Sequence, residues 1–146
     1  MTFITNKITS PLAKSLLVSA YGMAAQNARF LTVAQNLANV SSRPVVPGGM
    51  PYRRQLISYT NRKDFRTGVN LVHLKPTQYD TSPFRKVYDP SDPAADKSGY
   101  VQESNVKPLI EMSDIREAGL THEANLKAYE RTLGAMTDII GLLKAT

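Results

Sequence analysis

The feature that most constrains the fold is a row of apolar side chains at heptad spacing near the N-terminus, between Pro11 and Asn39. Steps of four and three residues alternate along this row, which is the period of a coiled-coil seam. This N-terminal seam consists of Leu16, Ala20, Met23, Asn27, Phe30, Ala34 and Leu37. A second row beside it consists of Leu17, Ala24, Leu31 and Ala38. Because one helix cannot cover two adjoining apolar rows by itself, the sequence predicts a helix that packs against partners, which its alanines allow to approach closely.

The residues at the two ends of this segment indicate where the helix begins and ends. Ser10 is suited to cap the N-terminus, and Pro11 is suited to the first helical position, where the missing N–H is not needed. Asn39 tolerates the left-handed backbone that closes many helices. We therefore predict a disordered N-terminus over residues 1–10 and a coiled-coil helix over residues 11–40.

A second long coiled-coil helix is predicted at the other end of the chain, over residues 108–146. Its apolar residues again step by three and four. This C-terminal seam consists of Leu126, Tyr129, Leu133, Met136, Ile140 and Leu143. Gly119 and His122 interrupt the register upstream of it, which indicates a break or a soft joint. Gly134 and Gly141 indicate either close packing or a weak helix.

The segment between the helices, residues 41–107, has a different composition. Eight of the nine prolines lie between residues 41 and 108, and Gly48-Gly49 marks a turn. Short strands are predicted at 52–59, 69–75, 84–88 and 99–102. The predicted fold class is mainly α with a small β-rich insert.

Composition and charge exclude several classes of protein. The chain has no cysteine, which rules out disulfides and thiolate metal sites. Its first ten residues do not have the pattern of a cleaved signal peptide, and its apolar runs are too short to span a membrane. The net charge is +6, with ten Lys and Arg against one acid in residues 1–79. This half could bind nucleic acid or anionic lipid, or it could complement the acidic second half. The scattered positions of its basic residues favour complementing the second half.

Residues with catalytic potential do not form a recognisable site. His73 and His122 have no third ligand at metal-site spacing, and Ser41, Ser42 and Thr60 have no base at a motif spacing. Asp89, Asp92 and Asp96 could form a calcium-binding loop. Pro90 and Pro93 lie between them and favour turns instead. The sequence predicts no enzyme activity, no metal and no cofactor.

Tyrosines and arginines are concentrated in the insert. Such a mixture can stack on single-stranded nucleic acid, or it can anchor a contact between protein subunits. We predict subunit contacts, with a small basic nucleic-acid-binding module as the alternative function. The residues assigned to these contacts are Tyr52, Arg53, Arg54, Tyr88 and Tyr100.

Short motifs in three parts of the chain point to one family. The first helix ends in Asn36-Leu37-Ala38-Asn39, and residues 49–55 read Gly-Met-Pro-Tyr-Arg-Arg-Gln. Residues 88–96 are followed by Gly99-Tyr100-Val101. These motifs resemble those of the bacterial flagellar axial proteins, the rod and hook subunits, and those of the insert resemble the proximal-rod members. Gln35 departs from the family's Asn-Asn-Leu-Ala-Asn block, and residues 119–122 depart from its usual pattern.

The resemblance implies a structural subunit of the proximal rod, the hollow shaft that crosses the periplasm in the flagellar basal body and transmits torque. It implies that the terminal helices pair as an antiparallel coiled coil. It also implies as partners further copies of the chain, other rod proteins, the MS ring and the flagellar type III export apparatus, which requires no cleaved signal. The residues predicted to carry assembly are Leu16, Ala20, Met23, Phe30, Ala34, Asn36, Leu37 and Asn39 in the first helix, and the six residues of the C-terminal seam in the second.

Overall fold

The computed structural model describes residues 10–144, which form two long helices and six short strands. Helix α1 spans Pro11–Ala38 and helix α2 spans Pro108–Lys144. The strands are β1 (Gln55–Leu56), β2 (Tyr59–Lys63), β3 (Asn70–Leu74), β4 (Gln78–Tyr79), β5 (Arg85–Tyr88) and β6 (Tyr100–Glu103). The predicted disordered N-terminus lies, apart from Ser10, outside the described residues, as do the last two residues of the predicted second helix.

Helix α1 begins where the sequence predicts, but it ends differently. Pro11 is its first residue, and the Ser10 carbonyl accepts a hydrogen bond from the Lys14 N–H at 3.1 Å. The prediction of a left-handed Asn39 is wrong, because no described residue other than glycine has a positive φ. Instead, Asn39 Nδ2 donates to the Gln35 carbonyl at 2.8 Å. The side chain therefore satisfies one of the carbonyls that the end of the helix leaves free.

Helix α2 is continuous through Gly119 and His122, so of the two predicted alternatives, a break or a soft joint, the break is wrong. One glycine costs about 1 kcal/mol of helix propensity, which the packing of a long helix readily offsets. Ala118, directly before Gly119, is fully buried and holds this part of the helix in place.

The strands form three antiparallel pairs, β1 with β4, β2 with β3 and β5 with β6. The predicted strands at 69–75, 84–88 and 99–102 are confirmed to within two residues at each end. The prediction of one strand over 52–59 is wrong, because this region contributes β1 and then a separate, longer strand, β2. The sequence of β2 after Tyr59 is polar, Thr-Asn-Arg-Lys, and its last three residues are exposed.

The described chain divides into two compact units. Unit 1 contains α1 up to Ala28, the β2–β3 hairpin within Tyr59–Lys75, and α2 from Glu117 onward. Unit 2 contains the rest of α1, the other two strand pairs, and α2 up to Arg116.

In unit 1 the two helices pack against each other through small side chains. Ser15 Oγ lies 3.1 Å from Thr132 Oγ1, and a Cβ added to Gly22 would lie 2.7 Å from the amide of Asn125. The hairpin packs on α1, because the Tyr59 hydroxyl donates to the Ala25 carbonyl at 3.3 Å. A larger side chain at position 22 would therefore have to displace the Asn125 amide.

In unit 2 the helix contact is polar. Arg29 Nη2 donates to Asp114 Oδ1 at 2.8 Å, and Asn36 Nδ2 donates to Glu111 Oε2 at 3.0 Å. Val33, Ala94, Val101 and Val106 form its buried apolar part. This small apolar core is therefore supplemented by ion pairs and hydrogen bonds.

Candidate assembly surfaces and polar network

The face of α1 that packs against α2, called the internal face, differs from the predicted N-terminal seam. Each of its residues directly precedes a residue of that seam. The internal face also follows heptad spacing, and it consists of Ser15, Ser19, Gly22, Gln26, Arg29, Val33 and Asn36, all buried or half-buried. Most of these residues are small or polar, which allows α2 to approach closely. The internal contact of α1 therefore uses a row one residue before the most apolar row.

The residues of the N-terminal seam flank this internal face. Leu16, Ala20, Met23 and Phe30 are half-buried, whereas Asn27, Ala34 and Leu37 are exposed. In the second row Leu17 is half-buried, Ala24 and Ala38 are exposed, and 66% of Leu31 is accessible. The close contact with α2 at Gly22 lies on the internal face and not on these two rows. Large and small apolar side chains thus remain on the outside of α1.

The C-terminal seam is divided between covered and exposed positions. Tyr129 and Met136 are half-buried, whereas Leu126, Leu133, Ile140 and Leu143 are exposed. Nothing lies within 4 Å of a Cβ added to Gly134 or Gly141. These two glycines are therefore not sites of close packing within the described chain.

Asn36, predicted to act in assembly, is instead the centre of a buried network in unit 2. Only 1% of its surface is accessible. Its Nδ2 donates to the Gln55 carbonyl and to Glu111, and its Oδ1 accepts from the Tyr52 hydroxyl and the Gln55 N–H, all at 2.9–3.0 Å. Its amide therefore joins α1, the insert and α2, and its hydrogen-bonding capacity is fully used.

Arg54 neutralises a carboxylate that is completely buried. Glu111 is 0% exposed, and it accepts hydrogen bonds from Arg54 Nε at 2.5 Å and from Asn36. Arg54 Nη2 also donates to Asp114 at 3.1 Å. Burial, followed by the nearby charge of Glu111, raises the pKa of the Tyr52 hydroxyl. Two buried or half-buried acids thus share one guanidinium, which fixes the start of α2 on the insert.

A second ion cluster surrounds Arg43, which follows α1. Its guanidinium donates to Glu103 at 2.7 and 2.9 Å, to Asp89 at 2.9 Å and to Asp92 at 3.0 Å, and Arg85 also binds Glu103. Burial alone would raise the pKa of Glu103, but the hydrogen bonds from Arg85 and Arg43 outweigh it and hold this pKa below its ordinary value. The Ser91 hydroxyl, and then Arg43, lower the pKa of Asp89. The cluster fastens the β5–β6 pair to the chain beyond α1.

The predicted insert contacts fall into two groups. Tyr52, Arg53 and Arg54 interact inside unit 2, with Arg53 over the Phe84 ring at 4.2 Å and bonded to the Asp80 carbonyl at 2.8 Å. Tyr88 and Tyr100 are exposed and form an edge-to-face pair with centroids 5.2 Å apart. Of the five predicted contact residues, Tyr88 and Tyr100 are therefore the ones that offer aromatic surface to a neighbour.

The aspartates after β5 are turn residues, as predicted. Asp92 Oδ1 accepts from the Ala94 N–H, and Asp96 Oδ1 accepts from the Ser98 and Tyr100 N–H groups. Among residues 10–144 no group of three His, Cys, Asp or Glu could hold a metal ion. His73 packs against the Tyr21 ring, with centroids 5.7 Å apart. None of the helices in that range is long and apolar enough to cross a membrane.

Two long helices that keep apolar rows on their outer faces are typical of a subunit of a larger assembly. Comparison with known proteins agrees. The chain is 38% identical over 136 residues to the flagellar basal-body rod protein FlgC of Agrobacterium fabrum, covering 93% of this chain and 98% of that protein. It is 35% identical over 137 residues to FlgC of Bacillus subtilis, covering 84% and 91%, and 30% identical over 128 residues to FlgC of Salmonella typhimurium, covering 86% and 92%. No protein-family model matches the chain.

The chain therefore belongs to the FlgC family of flagellar basal-body rod proteins. It is a structural subunit of the flagellar basal body, and this family is not a known family of enzymes. These relatives give no support to nucleic-acid binding. Arg43, Arg54 and Arg85 of the insert instead form ion pairs with acids of the same chain.

Proposed function

We propose that the chain is a subunit of the proximal rod, where its helices join neighbouring subunits into a hollow shaft that transmits torque. The observation that carries this proposal is the position of the N-terminal seam. Leu16, Met23 and Phe30 are only half-buried and Leu37 is exposed, so the largest apolar side chains on this face of α1 retain surface for a neighbour. Covering that surface would release the free energy that drives assembly.

The proposal includes pairing of α1 and α2 as an antiparallel coiled coil. The contacts within each unit support this pairing. Later residues of α1 contact earlier residues of α2, as expected when two helices run in opposite directions. Ser15 and Gly22 meet Thr132 and Asn125 in unit 1. In unit 2, Arg29 and Asn36 bond to Asp114 and Glu111. The heptad spacing of the internal face of α1 is the period that such pairing requires.

We assign the assembly contacts to the predicted seams and the exposed tyrosine pair. Asn36 and Asn39 act indirectly, since Asn36 holds the helices in place and Asn39 closes α1. The partners are further copies of the chain, other rod proteins, the MS ring and the flagellar type III export apparatus. Export through that apparatus, without a cleaved signal, would deliver the subunit to the periplasm-spanning rod. The sequence resemblance to proximal-rod subunits supports these assignments.

The test introduces a carboxylate into each seam at a position exposed in the subunit. Leu37 and Leu133 are accessible, so Leu37→Asp and Leu133→Asp should fold. In the assembled rod the same carboxylate would be buried without a partner, at a cost of several kcal/mol. We expect both variants to be made and exported, to be missing from purified basal bodies, and to leave cells non-motile.

The matched control is Arg131→Asp, which adds the same side chain at an exposed position of α2 outside the seam. Cells carrying it should swim, and the variant should be recovered in basal bodies. Recovery of both leucine variants in basal bodies would show that the seams are not assembly contacts. Absence of the unaltered chain from basal bodies would overturn the rod function itself.

A further inference from the structure

The turn that joins β2 to β3 is closed by its own polar groups. Asp64 Oδ2 accepts hydrogen bonds from the Thr67 N–H at 3.0 Å and from the Thr67 hydroxyl at 2.6 Å. The Asp64 carbonyl accepts from the Gly68 N–H at 2.7 Å, and the Asp64 N–H donates to the Val69 carbonyl at 2.8 Å. Gly68 has a φ of 71°, a conformation that favours glycine. The backbone of residues 64–68, called the hairpin tip, is therefore fixed before any partner binds.

The hairpin tip presents an aromatic side chain to solvent. Phe65 is 95% accessible, although Thr67, two residues later, is buried. Arg66 is exposed beside it, and so are Arg62 and Lys63 at the end of β2. Within residues 10–144 none of these three cations forms a salt bridge, whereas the arginines at the centres of the two ion clusters of unit 2 do. The tip therefore combines one exposed ring with a local excess of positive charge.

A second turn of the chain shows that closing the turn does not require an aromatic residue. In this comparison turn Asp96 Oδ1 accepts from the Ser98 and Tyr100 N–H groups, and Gly99 has a φ of 79°. The residue that follows the aspartate is the exposed Lys97. An aspartate and a glycine thus close both turns, and the ring of Phe65 is not needed to form its own.

The composition of the hairpin tip favours a protein partner over a membrane. Binding of a peripheral segment to a bilayer increases with the apolar area that it buries, and Phe65 is the one large apolar side chain of the tip. A pocket on a protein can enclose a single ring, and a fixed turn lowers the entropy lost when that ring is seated. Aromatic residues and arginine are enriched in protein interfaces. Phe65 and Arg66 are therefore suited to a protein contact.

The charge of the hairpin tip specifies the border of such a pocket. Carboxylates around the pocket would complement the three cations beside the ring, whereas basic residues would repel them. Unit 2 of this chain has an apolar groove, but Arg85 and Lys107 also line it. That groove has the same sign of charge as the tip. Its apolar lining consists of Val40, Pro83, Val106, Pro108 and Leu109. The charges therefore favour a partner other than a second copy.

We propose that the hairpin tip docks on a different protein of the basal body, with Phe65 in an apolar pocket bordered by carboxylates. The inference goes beyond the proposed rod function, because it uses neither the seams nor the tyrosine pair and assigns a contact to the β2–β3 hairpin. It requires only that the chain is a basal-body subunit, so it does not depend on the contacts assigned above.

Site-specific photo-cross-linking in cells tests this contact. The aromatic amino acid p-benzoylphenylalanine replaces Phe65 in cells that also make the unaltered chain, and the matched control carries it in place of Lys97 in the comparison turn. After irradiation, adducts are purified with the basal bodies and mapped by mass spectrometry. We expect position 65 to bond to a different basal-body protein, at an apolar segment that contains Asp or Glu. The control should give at least tenfold less of this adduct.

Charge reversal in the chain that carries the probe at position 65 tests the border of the pocket. Arg66→Glu should lower the yield of the adduct at least tenfold, because like charges across a contact repel. Lys63→Glu should act in the same way, and it does not place a second acid beside Asp64 in the turn. Lys97→Glu, in the comparison turn, should leave the yield unchanged.

Four results would overturn the inference. They are an adduct only with a second copy of the chain, no adduct in basal bodies that contain the substituted chain, a control yield equal to that from position 65, and an unchanged yield in both charge reversals. A membrane is tested separately with phosphatidylglycerol vesicles. Sedimentation of the purified subunit with these vesicles, lost in Phe65→Ala, would assign the tip to lipid and also overturn the inference.

Discussion

Units 1 and 2 are stabilised in opposite ways. Unit 2 holds buried and half-buried ion pairs and amides whose partners are supplied by the unit, as at Asn36, Arg54 and Arg43. Unit 1 joins its helices through small residues and leaves aliphatic side chains exposed on the last turns of α2. The difference indicates that unit 2 fixes its own conformation by specific polar contacts, whereas unit 1 leaves apolar surface that the proposed assembly would cover.

The largest effect should come from removing the cation that neutralises Glu111. Arg54→Met keeps most of the aliphatic stem but leaves a fully buried carboxylate without its ion pair. Loss of one partner of a buried pair costs about 3–5 kcal/mol. Urea unfolding followed by circular dichroism should show this loss. Arg62→Met, on the exposed part of β2, is the matched control and should change stability by less than about 0.5 kcal/mol. Equal effects of the two changes would contradict a specific role for the network.

A smaller effect is expected from enlarging the helix contact of unit 1. Gly22→Val places side-chain atoms where the Asn125 amide now lies, and overpacking of this kind costs about 1–3 kcal/mol. Gly134→Val is the control, because that glycine faces open space within the described chain. The difference between their urea midpoints measures how tightly unit 1 is packed. Equal midpoints would mean that the helices separate at Gly22 with little cost.

Low pH should reduce the stability of unit 2 by protonating Glu103 in the Arg43 cluster. The loss should be smaller than in Arg54→Met, because Arg43 and Arg85 are partly exposed. The pKa of Glu103 in the folded chain lies below its ordinary value of 4.5. The ionised carboxylate therefore stabilises the fold above that pH, and this contribution is lost as pH falls through the lowered pKa. Glu103→Gln should lower the urea midpoint at pH 7 and flatten its decline below about pH 4.5. Glu130→Gln, on the exposed side of α2, should retain the full decline, and a parallel decline in Glu103→Gln would exclude Glu103 as its source.

The smallest expected effect is an increase in stability. Gly134→Ala adds a methyl group where nothing lies within 4 Å, and alanine raises helix propensity by up to about 1 kcal/mol. Thermal unfolding of the purified subunit should move upward. If the same variant is excluded from basal bodies, a neighbouring subunit lies close to Gly134 in the rod. An unchanged or lower unfolding temperature would show that this part of α2 gains nothing from helix propensity.

The sequence predicts the two helices well, because heptad spacing and the Ser10-Pro11 cap are local signals. It does not reveal that the internal face of α1 lies one residue before the N-terminal seam. Reasoning from hydrophobicity selects the row with Leu16, Met23 and Phe30, but the internal contact uses the smaller Ser19 and Gly22. In an assembling subunit the most apolar row need not be the one covered inside the chain. The heptad pattern alone cannot distinguish a row that is covered inside the chain from a row that is covered by a neighbouring subunit.

The polar network could not be predicted for a different reason. Burial of Glu111 and Asn36 is favourable only because partners far along the chain reach them, and their own positions do not reveal those partners. The polar strand β2 was missed similarly, since its pairing with β3, and not its composition, makes it a strand. Residue type alone did not separate the exposed Tyr88 and Tyr100 from Tyr52, which bonds inside unit 2.

The long sequence separation of the helix contacts has a consequence for the order of folding. Arg29 and Asp114 are 85 residues apart, Asn36 and Glu111 are 75 apart, and Ser15 and Thr132 are 117 apart. Non-local contacts of this kind form slowly, because the chain must first close large loops. Neither unit can be completed before its part of α2 is available. A chain that passes through a narrow channel with its N-terminus first would therefore remain extended until its last third emerges, so that folding coincides with arrival at the growing end.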